Sequence, residues 1–198
     1  MAVESTLAEV TRTAKVQSPW PEGHLQRVAG HSLQLASAAA LDEPARTTIK
    51  RAALLHEIGK LGVPEEILQK ADRLTPEEYE KIKRHPVLGA EMCRSLPDGA
   101  EISAIVRSHH ENWDGQGYPD GLARDAIPIG ARIIAIADAY DTLTMDRPYR
   151  PAYSPEEALQ ILWFGSESQW DPRLVELFDR IVRPTFVVPR WRSSAVAI

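Results

Sequence analysis

Apolar and polar residues follow helical spacing along most of this 198-residue chain. Near the start, apolar side chains recur every three or four positions and predict a helix from about His24 to Leu41. Similar spacing predicts helical segments around residues 49–58, 102–106 and 174–181. The pattern of this chain is therefore mainly that of amphipathic helices.

Three helix starts are marked by capping motifs. Thr75 and Ser154 each precede a proline at the first helical position and a glutamate three residues after the cap. The hydroxyl and the glutamate together satisfy backbone N–H groups that a helix start leaves free. Asp171, followed by Pro172, opens a third helix in the same way.

The isoleucine-rich run at residues 133–137 is compatible with a buried strand or a buried helix. Because no strand pattern elsewhere offers it a partner, we interpret Pro128 to Leu143 as a buried helix. Residues 111–129 hold too many glycines and prolines for a helix and are expected to form a loop. The predicted fold class is all-α, with a partly ordered tail after Arg183.

Composition narrows the class of protein. The length fits one domain, and 43% hydrophobic with 26% charged residues is typical of a globular protein. A net charge of -5 argues against a DNA-binding protein, whose affinity would need a basic surface. The single cysteine excludes an intrachain disulfide, and no apolar run is long enough for membrane insertion. We therefore expect a cytoplasmic protein, and the oligomeric state stays open.

Histidine is the unusual residue type, and it occurs next to carboxylates. The six histidines are His24, His31, His56, His85, His109 and His110. In a helix, Lys60 would lie one turn from His56 and on the same face. Asp138 lies within an apolar run, where an unpaired buried carboxylate would cost several kcal/mol. A positive group should therefore face Asp138.

Three environments would satisfy Asp138. The first is an arginine such as Arg132 or Arg147, the second is a helix surface exposed to water, and the third is a metal ion shared with histidines. Mixed imidazole and carboxylate ligands suit iron, manganese or zinc. The histidines and carboxylates outnumber the ligands that one metal ion needs, so they indicate a cluster of metal ions.

Several motifs carry a resemblance to a known family. Residues 56–60, His-Glu-Ile-Gly-Lys, resemble the signature of the HD superfamily of metal-dependent phosphohydrolases, with glutamate in place of the usual aspartate. Residues 109–122 resemble the GYP motif of the HD-GYP subfamily almost letter for letter. The similarity continues at residues 85–90, 127–138 and 146–150. It covers roughly residues 24–182.

The resemblance implies a helical phosphodiesterase that hydrolyses the bacterial second messenger cyclic di-GMP to linear pGpG or GMP. Catalysis would use a bridging hydroxide on a centre of two or three metals, often iron. We interpret residues 1–23 as an N-terminal helical extension, 24–183 as the HD-GYP domain and 184–198 as a C-terminal tail.

The resemblance also implies site residues, position by position. The metal ligands that it assigns are His24, His56, Glu57, His85, His109, His110 and Asp138. Glu57 replaces a metal-bridging aspartate, and Lys60 matches a lysine near the scissile phosphate, so both are predicted catalytic residues. His31 matches no ligand and is interpreted as a helix-face residue.

Four further residues are predicted to bind the substrate. Arg147 and Arg150 match basic residues that hold the substrate, although a surface ion pair with Asp146 or Asp141 is an equal alternative. Gly117 permits a close approach, and Tyr118 could stack on a base or pack inward as part of a rigid lid. In the family this loop also contacts protein partners, so a signalling protein is a second candidate partner.

Three departures from the family pattern matter. Glu57 is longer than aspartate by one methylene, about 1.5 Å, but glutamate can still bridge metals, so we expect reduced or retuned activity as readily as no activity. Trp20 stands where members with a third metal have a glutamate, which predicts two divalent ions, iron or manganese. Only 23 residues precede His24, so we expect regulation in trans, constitutive activity or a fragment.

Two other functions stay open. One is a catalytically weakened or silent regulator that binds cyclic di-GMP or a partner protein through the GYP loop. The other is a related phosphohydrolase that acts on a different cyclic dinucleotide or phosphodiester.

Overall fold

The computed structural model describes residues 23–70, 72–146 and 150–183. This part of the chain contains nine α-helices and two short 3-10 helices, at Ile58–Gly62 and Arg124–Ala126. The α-helices are α1 (His24–Ala38), α2 (Glu43–Leu55), α3 (Glu65–Leu68), α4 (Pro76–Ile82), α5 (His85–Cys93), α6 (Gly99–Ser108), α7 (Ile129–Thr144), α8 (Pro155–Phe164) and α9 (Pro172–Val182). No strand occurs within these ranges, so the predicted all-α class is confirmed.

Helix α7 is the centre of the core. Ile133, Ile134, Ile136 and Ala137 are fully buried, and the helix contacts α1, α2, α6, α8 and α9. Burial of each isoleucine contributes about 1.5–3 kcal/mol. The continuous isoleucine run thus belongs to a helix that is surrounded by neighbours, which explains why its sequence shows no polar face.

The capped helix starts are confirmed. Thr75 and Ser154 both form complete capping boxes, in which the hydroxyl accepts from the N–H of Glu78 or Glu157. The carboxylate of each glutamate accepts from the N–H of its cap residue in return. Asp171 caps α9 by accepting from the N–H of Arg173.

Helix α1 ends three residues before the predicted end. Ala40 has a φ of 56°, in the left-handed region, and the N–H of Leu41 returns to the carbonyl of Ala36. Such a reversal usually needs glycine, which the sequence lacks here. The periodicity predicts a helix through this turn because alanine, unlike glycine, gives no signal that the helix ends there.

The segment after α2 differs from the helix that the apolar pattern predicted. The α-helix ends at Leu55, and Ile58–Gly62 forms a 3-10 helix packed on α5. A Cβ at Gly59 would lie 1.9 Å from the carbonyl oxygen of His85, so only glycine fits. The backbone at Gly59 therefore lies directly against the start of α5. Because Ile58–Gly62 is a 3-10 helix, Lys60 does not lie one α-helical turn from His56 as the sequence predicted.

The remaining predictions about the ends of the chain lie outside the described residues. These are the extension at residues 1–23, apart from Gly23, the tail at 184–198 and the departure at Trp20. No helix of the described residues is both long and apolar enough to cross a membrane.

Candidate metal centre and adjoining pocket

Two adjoining groups of side chains could each hold a metal ion. The first contains His24 from the start of α1 with His56 and Glu57 after α2, and the second contains His85, His109 and His110. Within each group the potential ligand atoms lie within 4.8 Å of one another. His85 starts α5, and the two adjacent histidines follow α6. Helix termini thus bring six predicted ligands to one place.

Three of these imidazoles are oriented by the backbone. His56, His85 and His109 each donate from Nδ1 to the carbonyl three residues earlier, at 2.8, 2.8 and 2.6 Å. This bond fixes the tautomer in which Nε2 carries a lone pair. Nε2 of His85 and Nε2 of His109 lie 3.2 Å apart. Their lone pairs therefore converge on one point, as metal ligation requires.

His24 is oriented by a carboxylate instead. Its Nδ1 donates to Asp141 Oδ2 at 2.8 Å, and Arg27 donates to both carboxylate oxygens of Asp141 at 2.5 and 3.1 Å. Such a carboxylate behind a histidine is a common feature of metal sites. This role of Asp141 was not predicted from the sequence, although Asp141 lies one helical turn after Asp138 and so on the same side of the predicted helix.

Glu57 lies between the two groups. Its Oε1 is 3.9 Å from Nε2 of His56, and its Oε2 is 3.6 Å from Nε2 of His85. Lys60 Nζ contacts Oε2 at 2.7 Å. Burial acts to raise the pKa of Glu57, but Lys60 and the two imidazoles outweigh it and hold the pKa well below its usual range. The carboxylate is therefore ionised and available as a ligand.

Two buried polar atoms indicate that the site fits a cation. His56 Nε2 and Asp138 Oδ1 are buried and form no hydrogen bond to other described residues. Asp138 Oδ1 lies 3.4 Å from His24 Nε2, so it borders the first group. An unsatisfied buried acceptor is costly, and a metal ion would satisfy both atoms. The residues present therefore fit the metal dependence that the sequence predicted.

The second group is held in its neutral state. Burial, together with the neighbouring His110, lowers the pKa of His109 well below its usual value. Burial and His85 lower the pKa of His110 to about 3. Neutral imidazoles are the form that ligates metals.

The Gly-rich loop after α6 closes over these histidines. Tyr118 stacks on His110 with ring centroids 4.9 Å apart, and its N–H donates to the His110 carbonyl. A Cβ at Gly117 would lie 2.2 Å from the backbone nitrogen of Asn112, so this position needs glycine. Buried Glu111 accepts from the N–H groups of Asp120 and Leu122. Glu111 thus holds the loop in place rather than joining the ligands.

The remaining predicted residues lie in different surroundings. Arg150 donates to the carbonyls of Thr142 and Leu143 at the end of α7 and to the carbonyl of the adjacent Pro151. Arg147 lies outside the described residues. His31 packs edge-on against two aromatic rings of the core, away from the six ligands. The substrate roles of both arginines therefore stay predictions.

A pocket of about 630 Å³ opens beside the candidate metal centre. Its floor includes His109, His110 and Asp138. Tyr118 and Gly117 of the loop form one wall, and residues of α7, α8 and the 165–170 turn form another. The third side, formed by Tyr79 and Lys83 at the end of α4, was not predicted from the sequence. A small anionic ligand could therefore contact both the metal ligands and this rim.

Comparison with known proteins identifies the protein family. The family model described as HD domain matches residues 10–174, so the chain belongs to the HD domain family. Its relatives agree with the HD-GYP membership that the motifs indicated. HD-domain phosphohydrolases are metal-dependent, which agrees with the two groups of ligands.

Two curated relatives are similar over most of the chain. A cyclic di-GMP phosphodiesterase of Thermotoga maritima is 41% identical over 160 residues, covering 80% of this chain and 44% of that protein. The cyclic di-GMP phosphodiesterase response regulator RpfG of Xanthomonas campestris is 35% identical over 177 residues, covering 88% and 47%. The chain thus spans less than half the length of these relatives.

A solved structure shares the fold. The crystal structure of a cyclic GMP-AMP specific phosphodiesterase of Vibrio cholerae matches with a TM-score of 0.72 and 20% identity. The match covers 91% of this chain and 49% of the Vibrio chain. This similarity supports the helical architecture.

Proposed function

We propose that this chain hydrolyses a phosphodiester bond of cyclic di-GMP in the cytoplasm, yielding pGpG or GMP. The observation that carries the proposal is the pair of adjoining, mostly buried ligand groups next to an open pocket, which His109, His110 and Asp138 line. Two sequence relatives named as cyclic di-GMP phosphodiesterases support the choice of substrate. Residues 24–183 would form the catalytic unit, with residues 1–23 and 184–198 as its flanks.

The two groups would hold two divalent metals, with iron or manganese suited to mixed imidazole and carboxylate ligands. When bound, such ions acidify water and stabilise charge on phosphoryl oxygens. Glu57, whose carboxylate lies between His56 and His85, would serve as a ligand in both groups. Asp138 and His24 would complete the first group.

The other side chains would bind and orient the substrate. Lys60, only 12% exposed, neutralises Glu57 and lies close enough to the cluster to hold a proton for the leaving ribose oxygen. Gly117 and Tyr118 shape the pocket wall against the phosphodiester. Arg147 and Arg150 would bind the substrate, and the guanidinium of Arg150 donates to carbonyls at the end of α7.

The test uses purified protein loaded anaerobically with iron or manganese and incubated with cyclic di-GMP. We expect pGpG or GMP in the products and about two metals per chain by elemental analysis. Cyclic GMP-AMP serves as the competing substrate because the structurally similar Vibrio enzyme is specific for it. Absence of turnover with both metals bound would rule the proposal out.

One observation favours a second candidate, a regulator that binds cyclic di-GMP without hydrolysing it. Glu57 is longer than the aspartate of the family, and its carboxylate is paired with Lys60 at 2.7 Å. Glu57→Asp separates the two functions. A wild-type chain that binds the nucleotide without turnover, and gains turnover with Glu57→Asp, would favour the regulator.

A further inference from the structure

Helix α4 is ordered without contributing to the core. None of its residues is buried, and its start is held by the Thr75 capping box and by an ion pair between Glu78 and Lys70. Its aromatic residue, Tyr79, is 50% exposed and faces the pocket. A half-exposed ring on a helix with no buried residue is available to a ligand.

Lys83, at the end of α4, stands between two aromatic rings. Its Nζ lies 5.7 Å from the ring centroid of Tyr79 and 5.4 Å from that of Tyr118. Lys83 is the one lysine or arginine among the described residues that line the pocket. Its ion pair with Glu80 is at the surface, and such pairs contribute little, so the ammonium can be shared with a ligand.

Lys83 lies close to the candidate metal centre. The Tyr118 ring stacks on His110 and also lies 5.4 Å from the Lys83 ammonium, so one ring links Lys83 to a predicted ligand. Lys83 also precedes His85 by two residues, so the backbone connects this rim directly to a predicted ligand. A molecule with a phosphate at the histidines can therefore place another of its groups beside Lys83.

That group is better matched to a nucleobase than to a second phosphate. The faces of aromatic rings carry negative charge and disfavour an anion, whereas bases stack on them. The lysine ammonium carries three donors and no acceptor. It therefore suits guanine, whose O6 and N7 are both acceptors, better than adenine, whose N6 amino group is a donor.

We propose that Tyr79 and Lys83 form a guanine-selective base subsite next to the candidate metal centre, with Tyr79 stacking on the base and Lys83 donating to its O6 and N7 edge. This inference rests on the proposed function, because it assigns the base preference of that same pocket. It predicts a preference for cyclic di-GMP over cyclic di-AMP.

The test is a competition between equimolar cyclic di-GMP and cyclic di-AMP on the manganese-loaded chain. Lys83→Met keeps the aliphatic stem between the rings and removes the ammonium. We expect the ratio of kcat/KM for cyclic di-GMP over cyclic di-AMP to fall about tenfold, because the guanine contact is lost. Lys81→Met, an exposed position on the same helix that does not line the pocket, is the matched control and should keep the wild-type ratio.

A second pair of variants tests the ring. Tyr79→Ala should lower kcat/KM for both nucleotides by a similar factor, because stacking tolerates every base, and Tyr79→Phe should restore it. An equal loss for both nucleotides with Lys83→Met would overturn the subsite in favour of a phosphate contact. An unchanged ratio and rate would overturn it as well.

Calorimetric titration with both nucleotides separates failure of the subsite from failure of the proposed function. If the wild type binds without turnover, the ratio of the two Kd values replaces the kinetic ratio, and the same tenfold change is expected with Lys83→Met. If the wild type neither binds nor hydrolyses either nucleotide, both proposals fall. If it prefers cyclic di-GMP and Lys83→Met keeps that preference, the subsite alone falls.

Discussion

The candidate metal centre and the rim formed by α4 are held in place in opposite ways. His56, His85 and His109 are at most 2% exposed, and each is fixed by a backbone carbonyl. Helix α4 buries none of its residues, and its start is held by a capping box and the ion pair between Glu78 and Lys70. The metal-ligand side chains, which must be placed within fractions of an ångström, are thus buried in the interior. The rim, which we propose binds a base, is held by surface contacts and keeps its side chains accessible to a ligand.

The largest expected effect is that of Gly59→Ala. The new Cβ would lie 1.9 Å from the His85 carbonyl oxygen, so the 3-10 segment must move away from α5. We expect the free energy of unfolding to fall by about 3 kcal/mol and metal binding to be lost. Urea unfolding and elemental analysis measure the two effects.

Gly30→Ala is the control for this substitution, because a Cβ there meets nothing within 4 Å. On helix α1 it should stabilise the protein by up to about 1 kcal/mol. Normal metal content in Gly59→Ala would contradict the view that this close approach builds the centre.

Asp141→Asn should weaken metal binding without disturbing the rim. It removes the charge behind His24 and the pairing with Arg27, and loss of such a carboxylate typically lowers affinity about 10- to 100-fold. A competition titration with a chelating dye measures the affinity. Asp98→Asn, an exposed aspartate paired with Arg51, should leave it unchanged. Equal metal affinity in both variants would show that Asp141 does not support metal binding.

The metal-free protein should lose stability in acid because of its buried histidines. The folded-state pKa values of His109 and His110 lie below the usual 6.5, so the unfolded chain binds more protons at low pH. Stability is therefore retained above pH 6.5 and falls as the pH drops towards about 3, the pKa of His110. Each histidine contributes a slope of about 1.4 kcal/mol per pH unit.

Urea unfolding at pH 7, 6 and 5 measures this slope, and His110→Gln should reduce it. A stability that stays flat between pH 7 and 5 would show that these imidazoles are not kept neutral by burial.

The smallest effect is expected at the rim. Thr75→Ala removes the cap of α4 and should lower the free energy of unfolding by about 1 kcal/mol. It should raise KM for cyclic di-GMP while metal content stays normal. Ser154→Ala removes the equivalent cap of α8 and is the matched control, with the same loss of stability and an unchanged KM. Loss of metal in Thr75→Ala would show that rim and centre are not independent.

Local signals made much of the fold predictable. The caps at Thr75, Ser154 and Asp171 are interactions within four residues, and the sequence displays them directly. The prediction overshot at Leu41, where a non-glycine residue adopts the left-handed conformation that ends α1. It was wrong after Leu55, where packing against α5 replaces the α-helix with a 3-10 helix.

By itself, the sequence determined the helical class, most helix starts and a set of residues with metal-ligating chemistry, because periodicity, capping and motif spacing are local properties of the chain. Only the tertiary structure decided how that set divides into two groups and that Asp141 supports His24, 117 residues away. It alone placed Tyr79 and Lys83 at the pocket. Distances between such residues depend on how helices pack, and packing is a property of the whole core rather than of any segment.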